Sequence, residues 1–143
     1  MYSFIQGGIA KDARGQIRFV NDFDMTEVKR FYIIKNSDLE LARGWRAHRI
    51  EQRWFYVISG SFNLSIVKVD NWEKADPLLN IEHLVLNSEE NRLLYLPAGY
   101  GTVFKALEEG SELLVFADHY LDHAALDDYT YPLDYFKNFH LGG

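Results

Sequence analysis

Between residues 43 and 52 the chain reads Arg-Gly-Trp-Arg-Ala-His-Arg-Ile-Glu-Gln, which gathers guanidinium and imidazole groups beside apolar neighbours. In an extended strand alternate side chains share a face, so Arg46 and His48 point one way while Trp45 and Ala47 point the other. If the first face lines a barrel, Arg43, Arg46, His48 and Gln52 supply the few convergent polar groups that a small-molecule pocket needs within an apolar wall. Arginine offers a planar fork of donors and keeps its charge, which suits phosphate. Histidine titrates near neutrality and can take a proton from a carbon acid. The combination points to acid/base chemistry on an anionic ligand.

The surrounding sequence supplies the scaffold such a face needs. Short runs of β-branched and aromatic residues, punctuated by Gly, Asn, Asp and Pro, predict strands at 16–21, 28–35, 44–50, 53–59, 62–70, 82–86, 91–96, 101–106 and 112–117, hence an all-β sandwich or barrel. Gly60 and Ser61 between two apolar runs have the chemistry of a tight hairpin whose first central residue takes a positive φ. Residues 71–81, with a Trp, several charges and a Pro, read as an irregular excursion. The stretch 120–139 predicts a helical turn followed by an aromatic tail packed on the barrel or on a partner. No repeat or linker interrupts the 143 residues, so one domain spanning 1–143 is expected.

Composition excludes several classes of function. Cysteine is absent, which removes disulfides, thiolate metal sites and a cysteine nucleophile. A formal net charge of −6 disfavours nucleic acid as a partner, while leaving room for a local arginine cluster that receives phosphate. No run approaches the ~20 apolar residues of a membrane-spanning helix, and the first residues lack a signal-like pattern. A cytoplasmic protein with no membrane partner is the expectation.

Beyond chemistry and patterning, the sequence resembles a known family. Arg43-Gly44-Trp45-Arg46-Ala47-His48, then Gln52, the turn at Gly60, and Leu96-Pro97-Ala98-Gly99-Tyr100 are similar to the two cupin motifs. Asp12-Ala13-Arg14-Gly15, Val28 to Tyr32 and Leu114 to Tyr120 extend the resemblance over nearly the whole chain. The similarity is to the branch holding dTDP-4-dehydrorhamnose 3,5-epimerases and the WxcM-like dTDP-sugar 3,4-ketoisomerases. It implies a homodimeric jelly-roll β-barrel with a short helical and aromatic C-terminal tail. The activity implied is an isomerase or epimerase that moves protons on a dTDP-linked 4-keto-6-deoxy sugar, for surface polysaccharide synthesis, without a cofactor.

On that resemblance His48 matches the family base and Tyr32 a strand tyrosine facing the sugar, cast as partner acid. By their chemistry Arg14, Arg43 and Arg46 are the natural anchors for diphosphate or enolate charge, and Tyr100 can stack on base or sugar. Metal-binding cupins use His-x-His, a carboxylate and a further His. Here Arg46, Gln52 and Thr102 or Gly101 fall at three of those places, so no metal is expected. Glu51 is excluded as the carboxylate because strand alternation carries it to the opposite face. Ketoisomerases carry His-Ala-His where this chain has Arg46-Ala47-His48, and a histidine where it has Tyr100-Gly101. Those departures motivate an alternative, a noncatalytic sugar- or nucleotide-binding cupin. Among the remaining candidates, His83, His119, His123 and His140 read as structural or solvated, Asp127-Asp128 as a surface bend, and Trp45, Trp54, Phe55, Tyr56, Tyr95 and Phe104 as core or dimer contacts.

Overall fold

A computed structural model describes residues 1–140 of the protein. Twelve strands follow one another: β1 (Ser3–Gln6), β2 (Gly8–Asp12), β3 (Gly15–Phe19), β4 (Arg30–Ile34), β5 (Ala42–His48), β6 (Arg53–Ser59), β7 (Ser61–Lys68), β8 (Ile81–Asn87), β9 (Arg92–Leu96), β10 (Tyr100–Ala106), β11 (Glu112–Ala117) and β12 (Tyr129–Thr130). One helical turn, α1 (Leu121–Ala124), runs into a 3-10 turn at Ala125–Asp127. Two five-stranded antiparallel sheets, ordered β1-β9-β6-β11-β4 and β12-β5-β10-β7-β8, enclose the core, while β2 and β3 pair only with each other. The eight strands β4 to β11 interleave as in a jelly roll, each consecutive pair splitting between the sheets except β7 and β8, which pair with each other across the 69–80 excursion, and β1 and β12 widen opposite edges.

The core follows from alternation along these strands. Phe55 and Val57 on β6, Leu64 and Ile66 on β7, Leu94 and Leu96 on β9, and Leu113 and Val115 on β11 face inward and are buried. The tight hairpin expected at Gly60 and Ser61 does not form, because β6 pairs with β9 and β11 and β7 with β8 and β10; Gly60 instead turns the chain from one sheet into the other, with the positive φ its residue type favours. Its φ is +73°, and a Cβ there would sit 2.0 Å from the Ser111 hydroxyl, so a side chain is excluded on both backbone and steric grounds. A second apolar cluster lies outside the barrel, on the back of β5. Trp45 and Ala47 pack there with Phe136 and Phe139 of the tail and with Ala75 of the irregular 71–81 excursion. The aromatic tail thus packs on the barrel, and it fastens β12 to β5 through Tyr129 opposite Ala47 and Thr130 opposite Arg46.

Three departures from the sequence-based assignment have simple origins. The short strands β1, β2 and β12 carry little apolar patterning, being four, five and two residues long. The strand expected at 44–50 ends at His48, because residues 49–52 turn the chain into β6. The pair Asp127-Asp128 is not a surface bend, since Asp127 is only 5% exposed.

Candidate active site

The two sheets meet differently at their two seams. Between β1 and β8 the Tyr2 hydroxyl donates to Glu82 at 3.1 Å. Between β4 and the β5–β12 edge the seam opens into a cavity of about 590 Å³, lined by Tyr32, Ile34, Arg43, Arg46, Arg53, Thr102, Phe104, Thr130 and Tyr131 among others. Tyr32 reaches it because β4 pairs Arg30, Tyr32 and Ile34 with the inward residues Ala117, Val115 and Leu113 of β11.

Arg43 and Arg46 are three residues apart and ordinary alternation would set them on opposite faces. An irregularity in the β5–β10 ladder resolves this, since Arg46 pairs with Thr102 and Arg43 with Phe104, both inward residues of β10. Gly44 sits within the irregularity at φ +138°, and a Cβ on it would lie 2.3 Å from the Thr102 carbonyl oxygen. Glycine therefore lets β5 close onto β10 and turns both guanidinium groups toward the cavity. Arg46 is also tethered, its Nε lying 3.2 Å from a carboxylate oxygen of Asp128.

His48 lies on the same inner face, directly across from Tyr100 on β10, and is buried at 6% exposure. Its Nδ1 is 2.8 Å from the carbonyl oxygen of Asp127. A carbonyl only accepts, so Nδ1 carries the hydrogen and the lone pair is left on Nε2. Nε2 makes no hydrogen bond to the described side chains. Burial, reinforced by the Arg53 cation, lowers the imidazole to about 4, against the opposing pull of Asp127. At neutral pH the ring is the neutral, proton-accepting form.

Arg53 carries the strongest electrostatic demand in the site. It is 3% exposed, shares the inward face of β6 with Phe55 and Val57, and its nearest hydrogen-bond acceptor is the Thr102 hydroxyl at a long 3.4 Å. No carboxylate among the described residues lies within 4.0 Å of it. A buried, unpaired guanidinium is costly unless something anionic joins it. Next to it, Glu51 is 2% exposed, with one oxygen 2.8 Å from Arg30 and the other 3.4 Å from Nδ1 of His48 without a hydrogen bond. Burial pushes the Glu51 carboxyl up from its ordinary range, and Arg30 and then Arg53 oppose that. The Arg30 guanidinium also stacks over the Tyr32 ring, 5.2 Å from its centre.

The structure therefore brings Tyr32, Arg43 and Arg46 to one cavity and sets His48 and Tyr100 on the adjoining inner face. Tyr100 is half-buried against the core, and burial followed by Glu82 raises its phenol. Arg14 and Gln52 do not join them. Arg14 stands on the exposed tip between β2 and β3, paired with Asp12 of its own hairpin. Gln52 precedes the inward Arg53 and so faces outward, where it bonds Asp118 and Tyr95. The parity that excluded Glu51 fails for the same reason, as residues 49–51 belong to a turn and Glu51 folds inward. Arg53 and Asp127 were missed by sequence reasoning. Arg53 had a signal, a charged residue in step with Phe55 and Val57; Asp127 had none. Of the other histidines, His83 bonds the Ser65 hydroxyl and His119 the Asp118 carboxylate. Among the described residues no three His, Asp or Glu side chains are grouped to hold a metal.

Comparison with known proteins gives the family and the fold. A family model described as FdtA, WxcM-like, C-terminal, matches residues 2–140. The chain belongs to the WxcM-like family. Solved structures share the family's fold: a mutant of the 3,4-ketoisomerase QdtA from Thermoanaerobacterium thermosaccharolyticum, in complex with TDP-4-keto-6-deoxyglucose, matches with a TM-score of 0.70 at 21% identity, over 95% of this chain and 91% of that one. A 3,4-ketoisomerase from Helicobacter canadensis gives 0.70 at 18% identity over 95% of both chains. A dTDP-4-dehydrorhamnose 3,5-epimerase from Bacillus anthracis, with TDP and PPi bound, gives 0.74 at 14% identity, over 93% of this chain and 79% of that one. No curated protein sequence matches the chain. This WxcM-like chain is thus a cupin-type jelly roll, and none of its described helices is long and apolar enough to cross a membrane.

Proposed function

We propose that this WxcM-like protein is an isomerase or epimerase of a dTDP-linked 4-keto-6-deoxy sugar, working by proton abstraction beside the keto group. The observation that carries the reading is the buried pair of a neutral His48, its Nε2 lone pair free, and an unpaired Arg53 cation on the facing sheet. A proton beside a carbonyl is acidic only when the charge left behind is received. In the first step Nε2 of His48 takes the proton, the C–H electron pair forms the enolate double bond, and the carbonyl electrons settle on oxygen facing Arg53. Tyr32, on the opposite strand of the open seam, is the partner acid. Return of a proton to the same carbon from the other face epimerises it, while proton transfer between adjacent carbon and oxygen atoms moves the carbonyl. Arg43 and Arg46 at the cavity rim hold the diphosphate, and the ligands named for the similar ketoisomerase and epimerase structures support a thymidine nucleotide.

The same reading includes a homodimer. Edge strand β4 exposes Phe31 and Ile33 at 65% and 52%, beside Phe116, an apolar edge that a soluble monomer ordinarily protects. The deciding experiment is proton NMR in D₂O with dTDP-4-keto-6-deoxyglucose. Loss of the signals beside the keto group, or a new set of sugar resonances, is expected. dTDP binding with no exchange would replace the enzyme with a binding module, the reading that Arg46, held by Asp128 where ketoisomerases carry a histidine, favours.

A further inference from the structure

Asp127 uses all three of its oxygens on the segment that carries His48. One carboxylate oxygen accepts from the Arg49 N–H at 2.8 Å, and the other from the N–H groups of Ile50 and Glu51 at 2.9 and 2.8 Å. The backbone carbonyl accepts from Nδ1 of His48 at 2.8 Å. Three convergent N–H groups form a concave anion seat, and hydrogen bonds to a carboxylate are the strong, charge-assisted kind. With the side chain held so firmly, the carbonyl of the same residue has nowhere to go.

We infer that Asp127 is a positioning residue for proton transfer at His48: its carboxylate locks the turn after β5 so that its carbonyl holds the imidazole in one orientation and one tautomer. The inference rests on His48 being the base. The structure also shows why an orienting group is needed there. The Glu51 carboxylate oxygen that lacks a hydrogen bond lies 3.4 Å from the same Nδ1 and competes for its hydrogen. A carboxylate partner would stabilise the imidazolium, whereas a carbonyl partner fixes the ring and leaves it neutral. Asp127 decides between the two by occupying Nδ1 at the shorter distance. Its neighbour Asp128 does a separate task, tethering Arg46.

The test is ¹⁵N NMR of histidine-labelled protein, wild type and Asp127→Asn, alongside thermal denaturation and dTDP titration. In the wild type at pH 7, His48 is expected to show a protonated Nδ1 and an unprotonated Nε2. The asparagine keeps one acceptor oxygen but sets an amide NH₂ against a backbone N–H. Expected for it are a folded protein, a His48 signal that averages both tautomers, at least a tenfold loss of keto-sugar proton exchange, and dTDP affinity within twofold. A wild-type His48 protonated on Nε2 overturns the inference without any variant being made, so a misfolded variant leaves it decidable. An Asp127→Asn protein that keeps both the wild-type tautomer and the wild-type exchange rate overturns it too. Correct tautomers in a wild type that exchanges no proton would instead refute the base assignment alone.

Discussion

Replacing His48 with Gln tests the electrostatic basis of the site in the absence of substrate. In the folded protein burial and Arg53 hold the imidazole near pKa 4, whereas in the unfolded chain it returns to 6.5. Between those values the unfolded chain binds a proton that the folded protein refuses, so stability falls as pH drops from 6.5 and has lost the full amount once pH passes below about 4. A gap of that size corresponds to about 3 kcal/mol. Other groups titrate over the same range, but they titrate in the variant as well. Urea denaturation of wild type and His48→Gln from pH 8 to pH 4 isolates the histidine as the difference between two curves. Wild type is expected to lose about 3 kcal/mol more than the variant across that window, with unchanged relative stability above pH 7. Gln retains a donor for the Asp127 carbonyl, which limits packing loss. Parallel curves would mean that the imidazole is as solvated as in the unfolded chain, and the argument for a neutral, buried base would fail. The corresponding activity profile has its acid limb near pH 4 and is flat on that side at neutral pH.

Two further perturbations address the anion-holding groups. Arg53→Met keeps volume and removes the buried charge; proton exchange is expected to fall about 10²–10³-fold while dTDP affinity and stability hold, the latter even rising. Equal exchange in that variant would remove Arg53 from the reaction. Arg43→Gln and Arg46→Gln should each weaken dTDP binding by about tenfold or more in calorimetric titration, the scale of one charge-assisted hydrogen bond. Unchanged affinity in both would move the diphosphate elsewhere.

The jelly roll was legible because its strands obey local rules. Phe55 and Val57, or Leu113 and Val115, announce an inward face by period two, whereas Gly60 announces a turn without telling a hairpin from the step between sheets that it makes. The site was legible where it lies within such strands, at Arg46 and His48. It was misread where the period breaks. Glu51 and Gln52 sit beyond the end of β5, so counting faces onward from His48 exchanges their roles. The joint orientation of Arg43 and Arg46 depends on the irregularity opposite Thr102 and Phe104, which only the pairing of β5 with β10 creates. Arg53 was readable as a charge within an apolar stripe. Asp127 was not, because its partners lie 76 to 79 residues earlier and no local pattern encodes that distance.

That distance also decides which part of the site is translated last. Every strand of the two sheets except β12 is translated before residues 127–131, which bring the carbonyl for His48, the tether for Arg46 and one wall of the cavity. During synthesis the barrel strands emerge first, but a domain generally folds as a unit, so the barrel and the segment that completes its site assemble together. A polypeptide ending just past β11 would carry His48 without the carbonyl that orients it and Arg46 without its carboxylate tether.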